Sequence, residues 1–159
     1  MKRKLVLFFL MLAASMHAFA ASPTQALARA IAKAEGFYTK GTKPQRFHNP
    51  GDIRASKGVH YPGQRGIDRQ GYVIFKNDRA GFDALESLID RIIAGDSKFY
   101  TVNSTLRDLS RKYATSPTWI RNVSKALRCA PNTPLWFLLD TAPSIQMPPD
   151  RRTLEAILQ

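Results

Sequence analysis

Leu27, Ile31 and Ala34 stand three and four positions apart in an alanine-rich stretch, the spacing of one buried helix face. Ser22-Pro23-Thr24-Gln25 reads as its start, with Ser22 as N-cap, Pro23 in the first turn and Gln25 completing a capping box. Gly36 stops the helix directly after Glu35. The pattern then changes. From Phe37 to Asn77, glycines at 41, 51, 58, 63, 66 and 71 and prolines at 44, 50 and 62 break any helix. Within this stretch Tyr72-Val73-Ile74-Phe75 is the best strand candidate, and Gly71 before it predicts a hairpin or turn. Beyond it the helical period returns. Asp78 is expected to cap a helix with Phe82, Leu85, Leu88, Ile89, Ile92 and Ile93 on one stripe, ended by Gly95. Ser104 is expected to cap another, carrying Leu106, Leu109 and Tyr113. Ser116-Pro117 opens a fourth, with Ile120, Val123 and Leu127 inward. Thr133-Pro134 opens a short fifth through Leu135 and Leu138. Asp150 caps a last one, Arg151 to Leu158, after the loose stretch Thr141 to Pro149.

These elements make one mainly α domain of the α+β class, with a small irregular β lobe inserted after the first core helix. Repeats and low-complexity segments are absent from the sequence.

The first twenty residues follow a different logic. Met1-Lys2-Arg3-Lys4 is a short basic region, followed by an apolar run, Leu5 to Ala14, too short to span a bilayer comfortably. Ala18-Phe19-Ala20 supplies the small residues a signal peptidase reads, so residues 1–20 are expected to be a secretory signal and residues 21–159 the mature domain. Export to the periplasm or beyond follows, with no transmembrane anchor in the mature protein.

Charge adds a second constraint. The chain carries 24 Lys and Arg against 12 Asp and Glu, a net +12, and losing Lys2, Arg3 and Lys4 with the signal leaves +9. Such a balance suits an anionic partner, whether nucleic acid, phospholipid or the acidic polymers of a cell wall, and export argues against nucleic acid. The basic residues are dispersed, which equally fits a solvated surface. Cys129 is the only cysteine, so no intramolecular disulfide can form, and its expected role is a small buried residue on a helix. His48 and His60, without an adjacent carboxylate pattern, make no zinc site, and no Gly-x-Ser-x-Gly elbow supports a serine hydrolase. No metal or cofactor is expected.

Glu35 is the strongest candidate for chemistry. Of the three glutamates, Glu86 and Glu155 sit in ordinary amphipathic patterns, whereas Glu35 closes an apolar helix and precedes Gly36-Phe37-Tyr38. Partial burial there, at the negative pole of the helix dipole, disfavours the carboxylate and raises the pKa. A carboxylic acid still protonated near neutrality is what glycosidic bond cleavage needs to protonate its leaving oxygen. The plainer alternative is a solvated charge at a helix end.

The pattern Glu35-Gly36-Phe37, His48-Asn49-Pro50-Gly51-Asp52-Ile53-Arg54, Val73-Ile74-Phe75, Gly81-x-x-Ala84-Leu85, Tyr113-Ala114 and Ile120-x-x-Val123 carries a resemblance. It resembles the lysozyme-like superfamily, and more closely the phage-virion and secretion-associated wall-degrading proteins with a Glu-Gly-Phe and an Asn-Asn-Pro-Gly-Asn-Ile loop. The likeness spans roughly Ala26 to Leu127. It implies a lysozyme-like helical domain with the catalytic acid at the end of the first core helix, facing a cleft walled by the β lobe. It further implies a monomeric secreted peptidoglycan hydrolase that cuts the N-acetylmuramic acid–N-acetylglucosamine backbone, as a lysozyme or a lytic transglycosylase, with Glu35 as general acid. Asn49, Asp52 and Tyr113 would then meet substrate.

This chain departs from the resembling family at His48, where a first asparagine is usual, and at Asp52, where another asparagine is usual. Asp52 therefore adds a carboxylate opposite Glu35, able to activate water or stabilise positive charge on the sugar; alternatively it only caps its turn. Phe37, Tyr38, Tyr61 and Tyr72 either offer flat faces for pyranose rings or pack internally. A non-catalytic wall-binding or inhibitor module, a membrane-active basic protein and a secretion-apparatus scaffold are the rival readings.

Overall fold

The computed structural model describes residues 21–113 and 116–139, with Lys112 and Tyr113 described by their backbone alone. The predicted signal, the loose stretch from Thr141 and the helix predicted over Arg151 to Leu158 lie outside the described residues. The described chain is α+β: six helices and one two-stranded antiparallel sheet.

Helix α1 (Pro23–Ala34) begins as the sequence predicts. The Ser22 hydroxyl accepts from Gln25 N–H at 3.2 Å, and the Gln25 side chain accepts from Ser22 N–H at 3.2 Å. Its other end is closed by Gly36 at φ 79°. That left-handed conformation lets Gly36 N–H reach the Lys33 carbonyl and Phe37 N–H reach the Ala32 carbonyl, the paired bonds of a Schellman motif. Phe37 then turns inward and is buried. Glu35 is the last right-handed residue before this reversal, so its side chain leaves the helix where the chain changes direction.

A one-turn helix α2 (Lys43–Arg46) follows, which the sequence reading missed. Pro44 read as a breaker, but it sits in the first turn, where its missing N–H costs nothing, and Thr42 caps the turn by accepting from Gln45 N–H. The β lobe is built from β1 (Gln64–Ile67) and β2 (Val73–Phe75), with register Gln64↔Phe75 and Ile67↔Val73 and an irregularity between Gln64 and Gly66. Asp68 organises the connecting turn by accepting from the N–H groups of Gln70 and Tyr72. The strand predicted from Tyr72 starts one residue later, Tyr72 forming an isolated bridge with Arg54.

Segment 47–55 runs along the other edge of β2. Phe75 N–H donates to the Phe47 carbonyl, Val73 N–H to the Ile53 carbonyl, and Ala55 N–H to the Gly71 carbonyl. Between these anchor points the chain bulges away through Pro50, Gly51 and Asp52, so the lobe is effectively a sheet with one irregular edge.

Helix α3 (Asp78–Ile93) buries Ala80, Gly81, Ala84, Leu85, Ile89 and Ile92, with Phe82, Leu88 and Ile93 at the margin of the core. Its cap is Asn77, accepting from Ala80 N–H at 3.0 Å, one residue before the predicted Asp78. Helix α4 (Leu106–Tyr113) likewise starts one residue off expectation. Thr105 and Asp108 form the reciprocal cap, while Ser104 accepts from Thr101 N–H instead. Helix α5 (Pro117–Leu127) is capped by Ser116 as predicted and buries Trp119 and Val123, with Ile120 and Leu127 only partly covered. The buried face is thus rotated by one residue from the predicted stripe. A short α6 (Leu135–Leu138) completes the described chain and returns backbone bonds to the 102–106 segment. Cys129, predicted on a helix, lies just past α5 after the left-handed Arg128, half-buried and unpaired.

Helix α1 packs on α3 and, most extensively, on α5, and α5 also contacts α4. One continuous core joins these helices to Val73 and Phe75 of the sheet. The join between β lobe and helices depends on Gly81. A β-carbon there would lie 1.9 Å from the His48 carbonyl oxygen and 2.6 Å from Pro50 Cδ, so only glycine lets the loop rest against α3.

Gly81→Ala is expected to destabilise the protein by about 3 kcal/mol, because the obstructing atoms are backbone and ring and neither can swing away. Gly66→Ala, where the space is open and φ is ordinary, should stay within about 0.5 kcal/mol. Denaturant melts of both variants check the contrast.

Candidate active site

Three parts of the fold converge on Glu35. The end of α1 supplies the carboxyl, α5 supplies an indole, and the bulged loop of the β lobe supplies a second carboxyl. Trp119 Nε1–H donates to Glu35 Oε1 at 2.7 Å, the short distance of a hydrogen bond to an acid group. Trp119 is itself only 3% exposed, so the bond forms with little competition from water.

Glu35 is half-buried and its pKa is pushed up to about 7. Burial is the main cause, since it penalises the charged form. The Trp119 hydrogen bond opposes it, and the negative charge of Asp52 adds to it.

Asp52 stands at φ 46°, a left-handed conformation seldom adopted by a residue with a side chain. Its N–H closes the turn onto the Asn49 carbonyl at 3.1 Å. Its side chain does not cap that turn. Oδ1 is fully covered and accepts no hydrogen bond among the described residues, which overturns the plain reading of Asp52 as a turn cap. Burial raises its pKa; Lys43 and then Arg54 pull it down, and Asp68 pushes it up. The two cations are well held. Lys43 pairs with Asp68 at 3.5 Å, bonds Gln70 and lies 4.1 Å from the centre of the Tyr72 ring. Arg54 lies 4.9 Å from the same ring and donates to the Gln70 carbonyl.

Asn49 does something other than expected. It is 0% exposed, and all three of its bonds go to backbone: Nδ2 to the carbonyls of Ile53 and Val73 at 2.9 Å each, and Oδ1 from Ile53 N–H at 2.8 Å. A side chain spent in this way reaches no substrate. It holds the bulge that presents Asp52. His48 fastens the same loop to α3, with Nδ1 2.6 Å from Asp78 Oδ1.

Tyr113 ends α4, and its side chain lies outside the described residues. Of the aromatic candidates, Phe37 and Tyr61 are buried, packed edge-on against Phe82 and Phe75 respectively, and Tyr72 is covered by its two cations. Tyr38, 60% exposed, is the one that offers an open face. Trp119 was missed in the sequence because Ile120 was read as the inward residue. The available signal was an indole on an otherwise apolar helix face, since a buried Trp N–H needs an acceptor and glutamates are scarce here.

Among the described residues, no cluster of His, Cys, Asp and Glu is placed to hold a metal ion, and no helix is long and apolar enough to cross a membrane. No protein-family model, curated protein or solved structure matches the chain.

Burial of Glu35 has a consequence for stability. Its folded-state pKa of about 7 lies above the ordinary 4.5, so folding favours the acid form. The resulting stability is fully present below pH 4.5 and is lost as pH rises through 7. Glu35→Gln, which cannot ionise, should therefore match wild type at pH 4 and exceed it by about 1–2 kcal/mol at pH 8, a figure reduced for the exposed part of the side chain. Urea melts at the two pH values check this.

Proposed function

We propose that this protein is a secreted peptidoglycan hydrolase with a lysozyme-like arrangement of helices and β lobe, using Glu35 as general acid. The observation that carries the reading is a half-buried carboxyl at the end of α1, held near pKa 7, with a second half-buried carboxyl of different surroundings near enough for its charge to act on it. Glu35 meets no cation among its principal influences, whereas Asp52 is flanked by Lys43 and Arg54. The two carboxyls stand in unlike environments suited to unlike roles: burial raises both pKa values, and only at Asp52 do cations work against it. The net charge supports the same substrate, since wall polymers are acidic.

Glu35 gives its proton to the glycosidic oxygen as the C1–O bond breaks, and the sugar left behind carries positive charge. Asp52, as carboxylate, stabilises that charge while the oxygen of a water bonds to C1, and the proton the water sheds returns Glu35 to its acid form. Asp52, whose negative charge acts on Glu35, gives the site a second carboxylate able to orient a water. This favours hydrolysis over the alternative in which the muramic 6-hydroxyl attacks.

Glu35→Gln is expected to lower lysis of purified wall by at least a hundredfold without loss of fold, and near wild-type activity would show that another group is the acid. Mass spectrometry of wild-type products separates the two outcomes, because reducing ends carry one water more than anhydro ends.

Asp52→Asn should lower turnover by about a hundredfold while its melting temperature stays level or rises, since no hydrogen bond of Oδ1 is lost and a desolvated charge is removed. Activity retained within about tenfold, together with anhydro products, would assign the attack to the muramic hydroxyl.

A further inference from the structure

We propose that Trp119 is a positioning residue that decides which oxygen of Glu35 carries the transferable proton: by donating to Oε1 it reserves that atom as an acceptor and leaves the proton on Oε2. The inference rests on Glu35 acting as the acid, and it goes beyond that reading by assigning the atom and the residue that selects it.

An indole offers Glu35 one polar group. Its nitrogen is a donor only and has no lone pair to accept with. At 2.7 Å from Oε1 it excludes a proton on that oxygen in the same direction, because two hydrogens would face each other. In a neutral carboxylic acid the carbonyl-type oxygen is the better acceptor, so the bond sorts two otherwise equivalent oxygens into fixed roles. Trp119 cannot easily turn away. It is 3% exposed within the core shared by α1 and α5, the most extensively packed pair of helices described. The carboxyl is equally constrained, because the Gly36 reversal fixes where the Glu35 side chain leaves α1.

The same bond tunes the acid. A hydrogen bond to a carboxylate is stronger than one to the neutral acid, so Trp119 favours ionisation and works against burial. Among the described residues, Asp52 of the bulged loop is the charged group that acts on Glu35 and opposes ionisation. Asp52 is in turn influenced by Lys43 of α2, Arg54 of the β2 edge and Asp68 of the hairpin turn. Without the indole, burial and Asp52 would act unopposed and leave a weaker acid whose proton could occupy either oxygen.

Two measurements test this, the first without any need for activity. The chain has two tryptophans, so Trp136→Phe leaves Trp119 as the sole indole. Its fluorescence, followed from pH 4 to 9, should change with a single midpoint near 7, and the step should vanish when Glu35→Gln is added. A flat titration in the presence of Glu35 would overturn the proposal. The second measurement is the pH–rate profile of Trp119→Phe, which keeps an aromatic ring and removes the N–H. Activity needs the protonated acid and falls as pH rises, so the alkaline limb should move upward by about one pH unit while kcat drops about tenfold and KM holds. An unmoved limb with a lowered rate would mean Trp119 acts through packing alone and would overturn the proposal. If Trp119→Phe does not fold, the fluorescence pair still decides, since both of its members retain Trp119. A fluorescence step in a protein that fails to lyse wall would uphold the coupling of Trp119 to the Glu35 proton and discard the hydrolase reading.

Discussion

The buried amide of Asn49 is the interaction on which the site depends. Segment 47–55 must pair with β2 to complete the lobe, yet it must also leave that edge to carry Asp52 toward Glu35. The bulge turns the Ile53 N–H and the Val73 carbonyl toward Asn49, whose amide bonds both and adds a bond to the Ile53 carbonyl. A buried backbone polar group left unmatched costs on the order of 1–3 kcal/mol, so three bonds from one fully covered side chain hold the excursion firmly. Gly81 complements it from the other side, admitting the His48 carbonyl against α3. The loop is thereby gripped by sheet and helix together, and the left-handed Asp52 at its tip is held rather than relaxed.

The two carboxyls owe their differences to their neighbours. Both are pushed up by burial, and a buried charge without a partner is costly. Glu35 meets only a neutral donor in Trp119, which lessens the effect of burial without cancelling it. Asp52 lies under the influence of Lys43 and Arg54, each held against the Tyr72 ring by its own contacts. The site therefore sets a neutral dipole beside one acid and fixed positive charge beside the other. Both acids are shifted upward, and cations work against burial only at Asp52.

Much of the scaffold was legible because its causes are local. The capping box at Ser22 and Gln25, the stop at Gly36 and the inward Leu85, Ile89 and Ile92 follow from side chains acting within a turn or two of themselves. Departures arose where local signals compete. Asn77 and Asp78 both make good caps, and the one whose extended backbone lets it reach Ala80 N–H prevailed. Pro44 serves equally as a breaker or a first-turn residue, and Thr42 ahead of it decided for the turn. The inward face of α5 shifted by one residue because Trp119, the largest side chain on that helix, filled the space against α1. Glu35 was recognisable as an unusual acid because an apolar helix, a reversal and a scarcity of glutamates all lie within reach of its own segment.

The amino-acid sequence by itself determined the helical periods, the turn-rich lobe between the first two long helices and the residue most suited to hold a proton. Those features depend on propensity, periodicity and glycine geometry, which act over a few residues. Tertiary structure alone decided what surrounds that proton. Trp119 lies 84 positions from Glu35, and their 2.7 Å bond exists only because α1 packs on α5. Asn49 became a structural clamp instead of a substrate contact because β2, 24 positions away, supplied the carbonyl it needed. Asp52 became a half-buried carboxyl whose Oδ1 accepts no hydrogen bond among the described residues, because the loop closed through its backbone. Burial and pairing belong to surfaces brought together by folding, and no local pattern encodes which distant group will arrive.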